Sequence, residues 1–289
     1  MMGHAIRLYL FAPMRFTGIA ILALILYLLA AATLLLRLTR KGPGIVHAGR
    51  GFIGSAGLAA ILLHSIALYA LIFMPRGMNL GFFNTTSLVG WLVAVIALAS
   101  LARPKFENLG LLLFPLAGIS ILLAELYPGD RLMVLDTDWP LDAHIILSLI
   151  AYSLFAVAAL QAILIALQDY RLRQRTPGVW WNTLPSLQEM ERFLFQLIAA
   201  GFVLLTLALF TGFIFVTNLQ TQHLVHKAVL SVAAWIVFGV LLWGRWRSGW
   251  RGRTAIRWTL FGYIVLMLAY FGSKLVLELI LGRHWFIAS

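Results

Sequence analysis

The chain has 289 residues, of which 62% are hydrophobic and only 11% are charged, with a formal net charge of +12. Soluble domains carry about 25% charged residues, so this composition excludes an ordinary soluble domain and indicates a protein embedded in a lipid bilayer. Most of the positive charge flanks apolar stretches, and we therefore interpret it as membrane topology rather than as nucleic-acid binding. The absence of cysteine excludes disulfides, thiolate metal sites and thiol redox chemistry by this chain.

Eight apolar stretches approach or exceed the length needed to cross a bilayer, which takes about 20 helical residues. In chain order they are Thr17–Leu36, Phe52–Met74, Thr86–Leu101, Leu109–Leu126, His144–Gln168, Phe193–Asn218, His226–Trp243 and Trp258–Leu281. The first is too long for the apolar core of a signal peptide, so we expect no cleavage there. The pattern predicts an all-α, multi-pass bundle that forms one integral membrane domain over residues 1–289.

Basic residues are concentrated in alternate connections, those after the first, third, fifth and seventh apolar stretches. Positive charge resists translocation, so we predict that these connections face the cytoplasm and that both termini lie on the outer side. Arg7 and Arg15, near the N-terminus, run against this assignment without outweighing it. The basic residues of the four connections are Arg37, Arg40, Lys41, Arg50, Arg103, Lys105, Arg171, Arg173, Arg175, Arg192, Arg245, Arg247, Arg251, Arg253 and Arg257.

Two local patterns mark the predicted inner face. Ser186 followed by Glu189 is a capping box and predicts the start of a helix. Four tryptophans around the last inner connection predict an aromatic belt that anchors the protein at the membrane interface. They are Trp243, Trp246, Trp250 and Trp258.

Histidines mark the predicted outer face. His144 begins the fifth apolar stretch, directly after an acidic loop, and imidazole is a common ligand of haem iron and of divalent metals. The alternative for His144 is an interfacial side chain bonded to loop carboxylates. His223 and His226 share a helix face, although the neighbouring Lys227 disfavours a dedicated cation site. His284 follows the last stretch and is alternatively a snorkelling tail residue.

Titratable residues also lie within the apolar stretches. His64 is near the middle of the second stretch, where an unpartnered polar group is costly. It is either functional or a neutral imidazole bonded to a carbonyl or hydroxyl of a neighbouring helix. Lys274 and Glu278, four residues apart, are interpreted as an ion pair, with a substrate-pathway role as the alternative. Walker-type, GxSxG and HExxH motifs are absent from the sequence, and we expect no self-contained enzyme.

Several stretches of the second half resemble the cytochrome c assembly family of membrane proteins, and most closely its smaller eight-span branch, the HemX-like and YpjD-like inner membrane proteins. The stretches are His144–Tyr152, Leu184–Asn218, Lys227–Trp235 with Leu242–Arg245, and Gly249–Arg253 with Leu268–Gly272. The connection Asn218–His226 lacks the tryptophan-rich motif Trp-Gly-x-x-Trp-x-Trp-Asp of the larger family members.

The resemblance implies haem held at the outer face between two external histidines. His144 matches the first of these and His284 the second, after a longer run from Gly272 than the family has. His64 resembles an intramembrane histidine of the larger members, and the position expected to hold its partner is occupied by Trp243.

These observations predict a haem-associated protein of the bacterial inner membrane that supports cytochrome c-type biogenesis or a related haem-handling process. We expect His144 to be one axial ligand, His284 or His226 the other, and His64 a further cofactor-binding candidate. The expected partners are haem, the lipid bilayer and other inner membrane proteins, not nucleic acid. Two alternatives remain open, an accessory subunit of a membrane complex and a small-molecule or ion transporter with a path near His64.

Overall fold

The computed structural model describes residues 14–39, 45–74, 77–102, 106–127, 132–133, 139–174, 184–215 and 225–269. Within these ranges lie the helices α1 (Met14–Thr39), α2 (Ile45–Ile72), α3 (Phe82–Ser100), α4 (Gly110–Leu126), α5 (Trp139–Arg173), α6 (Leu187–Phe215), α7 (Val225–Ser248) and α8 (Arg253–Met267). A 3-10 turn, Glu107–Leu109, precedes α4. Three short strands, β1 (Phe73–Met74), β2 (Gly77–Asn79) and β3 (Leu132–Met133), complete the described elements. The prediction of an all-α membrane protein is confirmed.

Seven of these helices, α1 to α7, are long and apolar enough to cross a membrane. The eighth, α8, has 15 described residues, and the predicted stretch Trp258–Leu281 continues beyond residue 269, where the description ends. Helix α5 begins at Trp139, five residues before the predicted start, with Pro140 in its first turn. Proline is tolerated there because the first helical N–H groups have no partner within the helix. The outer location of both termini stays a prediction.

The chain forms two compact units, Met1–Leu135 and Asp136–Ser289, and the prediction of a single domain stays untested. In the first unit, α1 and α3 each pack against both α2 and α4. Small residues allow close helix approach, as is common in membrane bundles. A Cβ built on Gly118 of α4 would lie 2.6 Å from Leu24 Cδ1 of α1. The largest fully buried side chains of this unit include Tyr27 and Phe114, whose rings stack.

The three strands form a small antiparallel sheet in the first unit, with β2 between β1 and β3. The chain folds into the protein at the end of β2, because Asn79, Leu80 and Gly81 are all buried. The Asn79 side-chain oxygen accepts the Gly81 N–H at 3.1 Å, so this turn satisfies its own buried donor. The sheet therefore leads into α3 through a buried turn.

In the second unit, α5 and α7 each pack against both α6 and α8. Its centre is a stacked pair of rings, Phe155 of α5 and Phe238 of α7, with centroids 3.9 Å apart. Two glycines leave room for the pair: a Cβ on Gly201 would lie 3.1 Å from Phe155 Cζ, and one on Gly262 would lie 2.9 Å from Phe238 Cζ. The buried Tyr152 hydroxyl donates to the Leu266 carbonyl and ties α5 to α8.

The turn between α7 and α8 depends on two glycines with positive φ, Gly249 at 65° and Gly252 at 55°. The Gly252 N–H donates to Glu191 Oε1 at 2.6 Å, so a carboxylate from the first turns of α6 holds the start of α8. The Glu189 N–H donates to Ser186 Oγ at 3.3 Å, which confirms the predicted cap at the start of α6.

Candidate functional site

His144 lies in the second turn of α5 with its imidazole half-buried against α6. Its Nδ1 is 2.8 Å from the carbonyl oxygen of Ala208. A carbonyl can only accept, so Nδ1 carries the proton, and in the neutral ring Nε2 then carries the free electron pair. Over the ranges that the structure describes, Nε2 has no hydrogen-bond partner. The geometry leaves one fixed ring nitrogen able to bind a metal.

The surface of α6 is shaped to receive this ring. A Cβ built on Gly212 would lie 2.8 Å from His144 Cε1, so the glycine provides the space in which the imidazole sits. Thr211 Oγ1 lies 3.5 Å from His144 Nδ1 and donates to the backbone carbonyl of Ala208 at 3.0 Å. The Ala208 carbonyl thus orients the ring through a hydrogen bond, and Gly212 leaves the space that the ring occupies.

The other histidines that are predicted to lie at the outer face are less completely described. His226 is the second residue of α7, but its side chain lies outside the described part of the chain, as do His223 and His284. Lys274 and Glu278, the proposed ion pair, also lie outside it. Among the described residues there is no group of three or more His, Cys, Asp or Glu that could hold a metal ion. Of the histidines predicted to bind haem at the outer face, His144 is the one whose side-chain contacts the structure describes.

His64 is fully buried in the first unit and bonded at both ring nitrogens. Its Nδ1 lies 3.3 Å from the Tyr27 hydroxyl of α1, and its Nε2 lies 2.9 Å from Ser87 Oγ of α3. This hydroxyl-bonded arrangement is the alternative to a functional role for His64. Ligation of a metal by His64 would require one of the two hydroxyls to be displaced, so its cofactor role stays a prediction.

A second set of charged residues, which sequence reasoning did not bring together, lies where α1 and α2 meet the 3-10 turn. The buried Glu107 Oε2 is 3.0 Å from Arg37 Nη1 and 3.8 Å from Arg50 Nε. Arg50 Nη2 also donates to the Leu101 carbonyl at 2.6 Å. By sequence alone, both arginines indicate only membrane topology. The one sequence signal for this cluster is that Glu107 closely follows the basic residues Arg103 and Lys105.

Comparison with known proteins establishes the family. The model of the family described as cytochrome C assembly protein matches residues 53–281, well over half of the chain. The chain belongs to the cytochrome c assembly family. The matched region includes His64, His144 and His226 and ends three residues before His284.

Two relatives align with this chain over most of their own length. The chain is 36% identical over 270 residues to the inner membrane protein YpjD of Escherichia coli strain K12, covering 90% of this chain and 98% of the relative. It is 22% identical over 217 residues to the protein HemX of Brevibacillus brevis, covering 71% and 80%. No solved structure matches the chain. The apolar helices and the relatives together make this a multi-pass protein of the bacterial inner membrane.

Proposed function

We propose that this protein holds haem, or passes it on, near the outer surface of the inner membrane, in support of cytochrome c-type biogenesis or a related haem-handling process. His144 Nε2 is the proposed axial ligand. The observation that carries the proposal is the hydrogen bond between His144 Nδ1 and the Ala208 carbonyl. Metal-ligating histidines almost always donate their second N–H to a carbonyl or carboxylate, because this fixes the tautomer and the orientation of the ring.

The residues around His144 fit a haem ligand. The imidazole is only half-buried, so Nε2 is not sealed inside the bundle, and the chain has no cysteine to act as an alternative axial ligand. His226 or His284 is the proposed second ligand. When bound through two imidazoles, haem has both axial positions filled, which favours holding or transfer over oxygen chemistry. Lys227, in the first turn of α7, adds positive charge beside His226 that suits the anionic propionates.

A titration of haem into the detergent-purified, haem-free protein tests the proposal. His144→Ala should weaken binding by at least about tenfold, the loss of about 1.4 kcal/mol of ligation energy. The matched control is His47→Ala, which removes one imidazole from α2 in the other unit and should leave the affinity unchanged. Equal affinity of wild-type protein and His144→Ala, with both variants monodisperse, would remove His144 from the site.

Docking of partner membrane proteins is a second candidate function, favoured by one specific observation. Trp243 and Trp246 of α7 are 62% and 78% exposed. Their rings pack edge to face, with ring centroids 5.5 Å apart. Such paired aromatic side chains serve interface anchoring or partner contacts. The double variant Trp243→Ala, Trp246→Ala should lose a partner that co-purifies with the wild-type protein while its haem affinity is unchanged. If no partner co-purifies, or the double variant keeps it, this second function is excluded for the tryptophan pair.

A further inference from the structure

The charged residues at the end of the first unit hold more positive than negative charge. Glu107 supplies one carboxylate, and its Oε2 is shared by Arg37 at 3.0 Å and Arg50 at 3.8 Å. Within the described ranges no further carboxylate pairs with either guanidinium. One carboxylate cannot neutralise two guanidinium groups, so the cluster keeps a net charge of about +1 in a partly desolvated place.

The two arginines are not fully bonded within the protein. The Arg37 side chain is only 9% exposed, yet its Nε is buried without a hydrogen-bond partner in the described part of the chain. The Arg50 side chain is 37% exposed and donates through Nη2 to the Leu101 carbonyl. A guanidinium has five N–H donors in a planar fork. Arg50 therefore presents further donors toward the protein surface.

The two arginines of the cluster lie near the ends of two membrane-spanning helices, where lipid headgroups are expected. Arg37 lies in the last turn of α1, which ends at Thr39, and Arg50 lies in the second turn of α2, which begins at Ile45. The connections on either side add four more basic residues by sequence, namely Arg40, Lys41, Arg103 and Lys105. Basic pockets between membrane helices at this level recognise anionic headgroups.

We propose that Arg37, Arg50 and the 3-10 turn Glu107–Leu109 form a binding site for a phosphate group, either in an anionic phospholipid headgroup or as free phosphate. The planar arginine fork matches two phosphate oxygens, which an ammonium group does not. Glu107 holds Arg37 and orients Arg50, and the bound phosphate balances the remaining positive charge. This site is independent of His144 and of the haem proposal.

Native mass spectrometry of the delipidated full chain in detergent, with equimolar phosphatidylglycerol and phosphatidylcholine, tests for a lipid headgroup. The wild-type protein should retain phosphatidylglycerol preferentially, and Arg50→Gln should reduce that preference about tenfold, the effect of one charge-assisted bond. Thermal stability measured with inorganic phosphate in lipid-free detergent tests for the free anion. Phosphate stabilisation that is lost in Arg50→Gln assigns the site to free phosphate.

Arg173→Gln is the matched control, since it removes one arginine charge from an exposed helical pair with Asp169 in the other unit. It should leave both readouts unchanged. Arg50→Lys keeps the charge but loses the fork, so a reduced preference in this variant carries the test if Arg50→Gln does not fold. The proposal is overturned if the wild-type protein shows neither lipid preference nor phosphate stabilisation, or if Arg50→Gln or Arg50→Lys behaves as the wild-type protein does.

Discussion

The imidazole of His144 occupies the space that a side chain at Gly212 would fill. A Cβ on this glycine would lie 2.8 Å from His144 Cε1 and 3.0 Å from Nδ1, closer than packed atoms allow. The same ring position places Nδ1 at 2.8 Å from the Ala208 carbonyl. The orientation of His144 in α5 therefore depends on the absence of a side chain at Gly212 in α6.

Gly212→Ala should displace the His144 ring and weaken its bond to Ala208. We expect haem affinity to fall by about tenfold, because the ligand would lose the orientation that its backbone partner provides. The measurement is a haem titration of the purified variant. Gly54→Ala is the control, since no atom lies within 4 Å of a Cβ built there. A Gly212→Ala protein with wild-type affinity would show that the contact has no bearing on haem.

Tyr27→Phe should destabilise the first unit by leaving His64 Nδ1 buried without its hydroxyl partner. The expected loss is about 1–2 kcal/mol of the free energy of unfolding, read from denaturant-induced unfolding in mixed micelles. Tyr69→Phe is the control, because Tyr69 is 67% exposed and its hydroxyl is not part of this cluster. Haem binding should be unchanged in Tyr27→Phe. A loss of haem in this variant would instead place His64 at the cofactor site.

Gly252→Ala should strain the turn between α7 and α8. Gly252 has φ 55° and ψ −127°, a backbone conformation that a residue with a side chain rarely adopts. The expected destabilisation is about 1–3 kcal/mol, measured as a lower unfolding midpoint. Gly51→Ala is the control, because it lies in a helix with open space around its Cβ position. Equal midpoints for the two variants would mean that the turn adapts without strain.

Glu107→Ala should be far more damaging than Asp169→Ala, although each removes one carboxylate that pairs with two arginines. Arg37 is 9% exposed, and removal of its partner leaves a nearly buried charge, which costs about 3–5 kcal/mol. The arginines that pair with Asp169 are exposed, and such pairs contribute about 0–1 kcal/mol. The difference is measured as the gap between the two unfolding midpoints. Similar midpoints would show that solvent or lipid compensates for Glu107.

Most helices follow directly from the sequence because their apolar stretches are long and continuous. The stretch Thr86–Leu101 is shorter and has no charged residue next to its start, and its helix α3 begins earlier, at Phe82. The start of α6 also follows from the sequence, since Ser186 and Glu189 are only three residues apart and interact locally. The strands β1 to β3 have two or three residues each, too few to produce an alternating pattern. Their pairing is a product of the packing of the first unit.

The candidate sites could be predicted only in part. His144 and His64 can be recognised as candidate site residues from the sequence, because a histidine at the edge or centre of an apolar stretch is uncommon. Their hydrogen-bond partners cannot be predicted from the sequence, since Ala208 contributes only a backbone carbonyl and Tyr27 is 37 residues away from His64. Pairing of Arg37 with Glu107 across 70 residues likewise depends on which helices are neighbours.

The most direct test of the account is a reduced-minus-oxidised absorption spectrum of the wild-type protein and of His144→Ala, both purified in detergent after expression with ample haem. We predict a low-spin haem spectrum at near-stoichiometric occupancy in the wild-type protein and its loss in His144→Ala. A featureless wild-type spectrum that persists after haem is added, or an unchanged spectrum in His144→Ala, would contradict the proposed function.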